Sequence, residues 1–237
     1  MTVGSLFSGI GGLELGLEAC GLGPVLWQAE CDPHPLATLA KQWPTVHRYK
    51  DVREVDGAAA RVDVVCGGFP CQDISRAGTG HERRGLAGER SGLWREFARV
   101  IRVIRPRYVF VENVPDLVRR GLTAVLGDLA TLGFDAEWDV FSSCAVGASH
   151  SRERLFLLAH ANGDGEPARA VYAQVAVVSS AARPLRRPGR RAPSRGFRKS
   201  DGVPGGMDRL RSLGNAVDPE VAALAWRTLT ARIKEKP

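Results

Sequence analysis

The sequence predicts an α/β domain built on a parallel β-sheet with helices on both faces. Apolar, strand-like runs alternate with amphipathic helical patterns from Val3 to His160, which is the pattern of such a sheet. Residues 62–66 and 108–111 are apolar over most of their length, as expected of strands covered on both faces. A length of 237 residues accommodates one substantial domain and a small appendage, but not two full domains.

The pattern predicts six strands, at residues 3–7, 25–29, 62–66, 108–111, 134–141 and 155–159. One helix is predicted to begin at Pro33 behind the capping residue Asp32 and to end near Trp43. A second covers residues 91–105 with one apolar side, and a third covers 124–132 and stops at Gly133. A fourth is predicted at 219–233, beyond a stretch of irregular sequence.

The composition indicates a soluble globular protein, because 44% of the residues are hydrophobic and 25% are charged. No apolar run is long enough to span a bilayer. We expect no signal peptide, since the N-terminus lacks a basic region and carries Glu14 and Glu18. The five cysteines form no Cys-x-x-Cys pair, so a reducing compartment and the absence of a metal site are expected.

Basic charge is concentrated in one segment. The chain has a net charge of +7, and residues 161–200 contain two acids and nine basic residues: Arg169, Arg183, Arg186, Arg187, Arg190, Arg191, Arg195, Arg198 and Lys199. This segment therefore accounts for the whole net charge. A neutral body with one basic segment indicates a polyanion as partner, although a solvated linker rich in Arg, Pro and Gly has the same composition.

A glycine-rich loop, Phe7-Ser8-Gly9-Ile10-Gly11-Gly12, connects the first strand to a helix. Glycines allow a sharp bend and a close approach to a ligand, and nucleotide-like cofactors bind at such junctions. Glu30 ends the next strand, where a carboxylate can bind ribose hydroxyls, and Asp51 follows a third short segment and could lie beside an adenine. The loop alone would equally suit an ordinary tight turn.

Two further strands end in residues that can carry chemistry. Cys71 lies in Gly67-Gly68-Phe69-Pro70-Cys71-Gln72, directly after the third predicted strand, whereas Cys20 and Cys66 have apolar neighbours and are expected to be buried. Glu112 and Asn113 end the fourth predicted strand. Because neighbouring parallel strands end at the same edge of a sheet, a thiol and a carboxyl are predicted to face one crevice.

Five motifs in this order resemble the DNA cytosine-5 methyltransferase family: Phe7-Ser8-Gly9-Ile10-Gly11-Gly12, Pro70-Cys71-Gln72, Glu112-Asn113-Val114, Arg152-Glu153-Arg154 and Leu213-Gly214-Asn215-Ala216-Val217. The resemblance covers about residues 3–160 and 203–230. It implies a Rossmann-like methyltransferase sheet that uses S-adenosylmethionine, with a small, abbreviated target-recognition region. It also implies a monomeric cytoplasmic enzyme associated with the nucleoid of a bacterial or phage-infected cell, acting in restriction-modification or in phage or orphan DNA methylation.

The resemblance also implies roles for individual residues. Cys71 is the nucleophile that attacks carbon 6 of the cytosine, and Glu112 holds a proton shared with ring nitrogen 3. Arg154, together with Arg152, contacts the base carbonyl or orients Glu112. The implied S-adenosylmethionine site comprises Phe7, Ser8, Gly9, Gly11, Gly12, Glu30 at the ribose, Asp51 near the adenine, Pro70, Leu93, Asn215 and Val217; for Leu93, plain helix packing is equally expected.

Double-stranded DNA is the implied partner, and the target cytosine must leave the base stack to react. The segment 72–90 is polar and rich in glycine, and we expect it to close over DNA with Arg76, Arg83, Arg84 and Arg90 on phosphates. In the basic segment, phosphate contacts are expected from Arg186, Arg187, Arg190 and Arg191.

The chain departs from the family pattern at two places. His150 stands where a glutamine is common, and only residues 161–205 are available for target recognition, between a catalytic domain at 1–160 and a completing segment at 206–237. Weak or short sequence specificity, a specificity-supplying partner protein and truncation are the alternatives. A tRNA cytosine-5 methyltransferase, a catalytically silent relative and an unrelated α/β protein remain competing functions.

Overall fold

The structure, a computed structural model, describes residues 1–70, 93–148, 151–162 and 216–234. A seven-stranded sheet of order β3-β2-β1-β4-β5-β7-β6 forms the centre of this part of the chain. Its strands are β1 (Val3–Leu6), β2 (Val25–Ala29), β3 (His47–Tyr49), β4 (Val64–Gly67), β5 (Tyr108–Asn113), β6 (Phe134–Ser142) and β7 (Glu153–Ala161).

The sheet is mixed, which corrects the prediction of a parallel sheet. Strands β1 to β5 are all parallel to one another, but β7 is antiparallel to both β5 and β6. The reason lies in the connections. A parallel crossover requires a helix-length segment, whereas β6 and β7 are joined by a 3₁₀ turn (Ser143–Val146) and a few further residues, which permits only a hairpin.

Helices cover both faces of the sheet, as predicted. They are α1 (Gly12–Glu18), α2 (Pro33–Gln42), α3 (Trp94–Ile104), α4 (Leu117–Arg120), α5 (Leu122–Thr131) and α6 (Pro219–Lys234). Buried residues of α3, α4 and α5 join one hydrophobic cluster, and those of α1, α2 and α6 join the other. None of the helices in the four described ranges is long and apolar enough to cross a membrane.

The ends of several elements follow from local chemistry that the sequence displays. The Asp32 side chain accepts a hydrogen bond from the backbone of His34 (2.9 Å), and Pro33 begins α2, as predicted. The chain turns after α5 through Gly133, whose φ is +85°. Strand β4 begins at Val64, two residues later than predicted. Its pairing with β1 starts there, so Val62 and Asp63 lie before the strand.

The C-terminal helix packs beside the first helix although the two are far apart in the chain. Gly16 of α1 is the close-contact point: a Cβ at this position would lie 2.7 Å from both the Ala222 side chain and the Pro219 carbonyl oxygen. Trp226 and Leu229 of α6 are buried in the same cluster as Leu13 and Leu17 of α1. Helix α6 therefore completes the covering of this face of the sheet.

Candidate active site

A cavity of about 370 Å³ opens at the carboxyl ends of the parallel strands. This is the edge at which open α/β sheets bind ligands. Eleven of the residues predicted to form the site line it: Phe7, Ser8, Gly9, Gly12, Glu30, Asp51, Pro70, Leu93, Glu112, Arg154 and Val217. The cavity has two walls. The wall at the ends of β1, β2 and β3 is called here the cofactor wall, and the wall at the ends of β4, β5 and β7 is called the base wall.

The glycine-rich loop of the cofactor wall is held in an unusual backbone conformation. Phe7, Gly9 and Gly11 have φ angles of +53°, +55° and +90°. A positive φ disfavours a side chain at all three positions, yet Phe7 adopts it. At Gly12 a side chain would collide with the backbone carbonyl of Val217, so the segment before α6 lies directly on the start of α1.

Glu30 fixes the same loop through its carboxylate. Oε2 accepts a hydrogen bond from Gly9 N at 2.8 Å, and Oε1 accepts from the backbone N–H groups of Cys31 and Asp32, each at 2.9 Å. A carboxylate has about four acceptor sites. Three are used, so Oε2 retains about one acceptor site, and the Glu30 side chain lines the cavity.

Asp51 lies at the outer end of the cofactor wall and is held by a neighbour. Its side chain caps the 3₁₀ turn Val52–Glu54 by accepting from Arg53 N, and the Arg53 guanidinium pairs with it at 2.6 Å. These hydrogen bonds hold the pKa of Asp51 below its ordinary value. The pair is open to solvent, since 71% of the Arg53 side chain and 33% of the Asp51 side chain are exposed.

On the base wall, the loop after β4 is fastened to the end of β5. Asn113 Nδ2 donates to the carbonyl oxygen of Phe69 (3.1 Å), and Asn113 Oδ1 accepts from Val114 N (2.9 Å). A Cβ at Gly68 would lie 2.7 Å from Glu112 Oε2, so a side chain at this position would displace the carboxylate. Pro70, the residue before Cys71, thus lines the same cavity as Glu112.

Glu112 is a buried carboxyl with a cationic partner. It is 8% exposed, and its Oε1 lies 2.9 Å from Nε of Arg154. Burial raises the pKa of Glu112 to about 7, although the positive charges of Arg154 and Arg152 act to lower it. Near neutral pH this carboxyl is therefore shared between its protonated and ionised forms, and it can both donate and accept a proton.

Some predicted site residues are placed elsewhere or lie outside the described ranges. Gly11 does not line the cavity, and the Trp43 ring occupies the space next to its Cα. Arg152 acts on Glu112 through its charge without lining the cavity. The predictions that fall outside the described residues concern Cys71, Asn215, His150, Arg76, Arg83, Arg84, Arg90, Arg186, Arg187, Arg190 and Arg191.

Two residues shape the site in ways that the sequence did not predict. Arg53 was not predicted, and its spacing of two residues from Asp51 at a capping turn is the signal that could have indicated the pair. Asn113 was predicted only as part of a motif, and its role in joining β4 to β5 depends on a contact between residues 44 positions apart. Cys66 is fully buried, as predicted, whereas Cys20 is half-buried.

A family model for C-5 cytosine-specific DNA methylases matches residues 1–181, which is most of the chain. The chain belongs to this family. Type II methyltransferase M2.BsuMI of Bacillus subtilis is 35% identical over 167 residues, covering 67% of this chain and 42% of the relative. Type II methyltransferase M.Eco47II of Escherichia coli is 37% identical over 171 residues, covering 68% of this chain and 40% of the relative.

This member of the C-5 methylase family thus spans about two fifths of the length of these curated relatives. Its fold also resembles that of the S. pombe Dnmt2 methyltransferase, with a TM-score of 0.54 at 19% sequence identity. That match covers 73% of this chain and 55% of the other. The described strands and helices therefore share the fold of that structure.

Proposed function

We propose that this chain is a DNA cytosine-5 methyltransferase that transfers a methyl group from S-adenosylmethionine to carbon 5 of cytosine. The observation that carries the proposal is Glu112. A buried carboxyl with a pKa of about 7, paired with Arg154, lines one cavity with Pro70, the neighbour of Cys71. Perturbed groups of this kind in a cleft are typical of acid–base catalysis.

In the proposed reaction, the Cys71 thiolate forms a bond to carbon 6 of the cytosine. The protonated Glu112 shares its proton with ring nitrogen 3 and stabilises the electron density that moves there. Carbon 5 becomes nucleophilic and can accept a methyl group, which a bound S-adenosylmethionine would supply from its sulfonium while the S–CH3 electron pair stays on the departing thioether. A base then removes the carbon 5 proton, and the bond between carbon 6 and the Cys71 sulfur breaks to restore the ring. Arg154 orients Glu112 by holding Oε1, which leaves Oε2 for the base.

The residues of the cofactor wall fit S-adenosylmethionine, which would supply an electrophilic methyl group. Glu30 Oε2 has an acceptor site for a ribose hydroxyl, and half-exposed Asp51 suits an adenine amino group. Because Gly12 has no side chain, the segment at Val217 can lie against it and close the cavity. We propose Phe7, Ser8, Gly9, Gly12, Pro70, Leu93, Asn215 and Val217 as further contacts, with Gly11 supporting the loop.

The proposed partner is double-stranded DNA with the target cytosine flipped into the base wall. The arginines of segment 72–90 and of segment 161–205 are proposed to contact phosphates, which adds affinity but little sequence information. Because segment 161–205 is short, we propose that the chain alone methylates a short or loosely defined sequence. A long, strictly defined site methylated by the purified chain alone would contradict this proposal.

Bisulfite sequencing of DNA from cells that express the chain tests substrate, product and specificity together. We expect 5-methylcytosine with the wild type, and at least a roughly 10³-fold loss of methylation for Cys71→Ser. Cys144→Ser, at an exposed cysteine outside the cavity lining, is the matched control and should retain activity. Full activity of Cys71→Ser would disprove the covalent step, and purified chain that methylates tRNA but not duplex DNA would disprove the substrate.

A further inference from the structure

A buried polar cluster lies beneath the glycine-rich loop, on the side of the sheet that α1 covers. Ser5 of β1 is paired with Gln28 of β2 and with Cys66 of β4, so the three side chains form one row across the sheet. Glu14 of α1 lies over this row, and Gln28 Nε2 donates to Glu14 Oε1 at 3.3 Å. Glu14, Gln28 and Ser5 are all completely buried.

Two buried oxygens of this cluster lack a hydrogen-bond donor in the described part of the chain. Among the described residues, Glu14 Oε2 and Gln28 Oε1 are both buried without a hydrogen-bond partner. These are the two remaining oxygens of a carboxyl and an amide that are already joined to each other. As long as Glu14 is ionised, both atoms are acceptors and neither can satisfy the other. A single proton on Oε2 converts one of them into a donor.

The surroundings of Glu14 favour that proton. Burial raises the pKa of Glu14, and this effect outweighs its own backbone N–H, the Ser5 hydroxyl, the Gln28 amide and the Ser8 hydroxyl, which act to lower that pKa. Cys66 faces it from β4, and burial keeps the pKa of that thiol well above its ordinary 9.0. On the packed helix α6, the charged residues nearest in sequence to the contact, Glu220 and Arg227, are exposed. No cation of the described residues is paired with Glu14.

We propose that Glu14 is a neutral acid that pairs with Gln28 through two hydrogen bonds and positions the glycine-rich loop for the cofactor. In this pair Gln28 Nε2 donates to Glu14 Oε1, and protonated Glu14 Oε2 donates to Gln28 Oε1. Glu14 lies one turn into α1, two residues after Gly12, while Ser8 Oγ in the loop donates to Ser5 Oγ at 2.9 Å. The pair and the two hydroxyls therefore fasten the loop to β1 and β2 from below.

This positioning role rests on the proposed function, but the protonation state of Glu14 can be measured without cofactor. Infrared spectroscopy at pH 7 in the Glu112→Gln background, which removes the other carboxyl that is buried among the described residues, should show a protonated carboxyl band. The band should disappear in Glu14→Gln/Glu112→Gln. Absence of the band in the Glu112→Gln protein would overturn the proposal.

The pH dependence of stability gives a second readout. A raised pKa in the folded state means that stability from Glu14 is present at low pH and is lost as pH rises above its ordinary 4.5. In the Glu112→Gln background, the unfolding midpoint should fall as pH rises from 5 toward 8.5, and adding Glu14→Gln should reduce that slope. Cys66 contributes little to this slope, because its ordinary pKa of 9.0, at which its own loss of stability would begin, lies above the range. An unchanged slope would count against the neutral acid.

Cofactor affinity separates positioning from mere packing. Glu14→Gln can form the same two-bond pair with Gln28, so its Kd for S-adenosylmethionine should stay within about twofold of the wild type. Glu14→Met should raise the Kd about tenfold. Equal weakening by both variants would show that the charge, not the pair, is needed. A wild type that binds no cofactor but shows the infrared band would defeat the proposed function and leave the neutral acid standing.

Discussion

The two walls of the cavity shift the pKa of a carboxyl group in opposite directions. On the cofactor wall, Asp51 lies near solvent and its pKa is lowered by Arg53. On the base wall, Glu112 is buried and its pKa is raised to about 7 in spite of Arg154. Both carboxyls face an arginine, so the presence of a cation does not decide their charge. Burial decides it, because desolvation outweighs the ion pair only at Glu112.

Because of this difference, we propose that the cofactor wall binds a ligand and that the base wall takes part in the reaction. Carboxyl groups that already accept hydrogen bonds, such as Glu30 and Asp51, are suited to accept further hydrogen bonds from a ligand. A carboxyl that exchanges its proton near neutral pH is suited to take part in a reaction. Substitutions on the base wall should therefore reduce kcat, and substitutions on the cofactor wall should raise the Kd for the cofactor.

Glu112→Gln tests the base wall most severely. Glutamine keeps the shape but cannot supply a proton, so we expect kcat for DNA methylation to fall about 10²–10⁴-fold. The Kd for S-adenosylmethionine should change far less, which isothermal titration can measure. A variant that retains kcat would remove Glu112 from the reaction.

The same variant provides its own folding control. Because the pKa of Glu112 is raised from 4.5 to about 7, its contribution to stability is present at acidic pH and is lost as pH rises through 7. Glu112→Gln lacks this titration, so its free energy of unfolding should fall less between pH 5 and 8. A loss of activity with this pH behaviour reports a folded protein with altered chemistry.

Arg154→Ala sharpens the comparison by removing the cation and leaving the buried carboxyl. The pKa of Glu112 should rise further, because Arg154 is the stronger of the two charges that lower it. We expect kcat to fall roughly 10- to 100-fold, since a charged hydrogen bond that orients Glu112 is lost. The alkaline limb of the pH–rate profile should move to higher pH.

Arg154→Lys is the matched variant for that experiment. Lysine retains the positive charge but not the planar guanidinium, so it should keep the limb near its original pH while recovering only part of kcat. An alkaline limb that stays in place for Arg154→Ala would show that Glu112 does not govern it.

The sequence predicted the strands better than it predicted their directions and partners. Apolar runs set the position of β2 and β5, and the motifs indicated which strand ends meet at the cavity. The direction of β7 was predicted wrongly, because direction depends on the connection between strands and not on their apolar pattern. Strand β3 is short, polar and at the sheet edge, so it carries little of that pattern.

Glu14 shows why burial is the harder part to predict. In the sequence it is a charged residue near the N-terminus, and such residues are usually exposed. In the structure it is completely buried, because it lies between α1 and the row that Ser5, Gln28 and Cys66 form across the sheet. These three residues come from three different strands, and local periodicity cannot reveal such a contact. The pairing of Asp51 with Arg53 likewise depends on side-chain conformation at an exposed turn.

Glu30→Gln is the corresponding test of the cofactor wall. The amide NH₂ of glutamine would face backbone N–H donors that the carboxylate now accepts, so the loop at Gly9 loses part of its support. We expect the Kd for S-adenosylmethionine to rise about tenfold, with a smaller change in kcat at saturating cofactor. Isothermal titration and initial rates measure the two quantities. A fall in kcat at an unchanged Kd would contradict the division between the walls.

Asp51→Asn should have the smallest effect, because Asp51 is half-exposed and its ion pair with Arg53 is open to water. An exposed ion pair is screened by water and contributes little, so we expect the Kd for S-adenosylmethionine to rise no more than about fivefold. Because the pKa of Asp51 is lowered, its contribution to stability is fully present above pH 3.8, its ordinary pKa. That contribution is lost as the pH falls below this value and through the lowered pKa. In Asp51→Asn, the free energy of unfolding should therefore fall slightly less as the pH is lowered below 3.8. The alkaline limb of the pH–rate profile should stay unchanged, since Glu112 on the base wall is expected to set it.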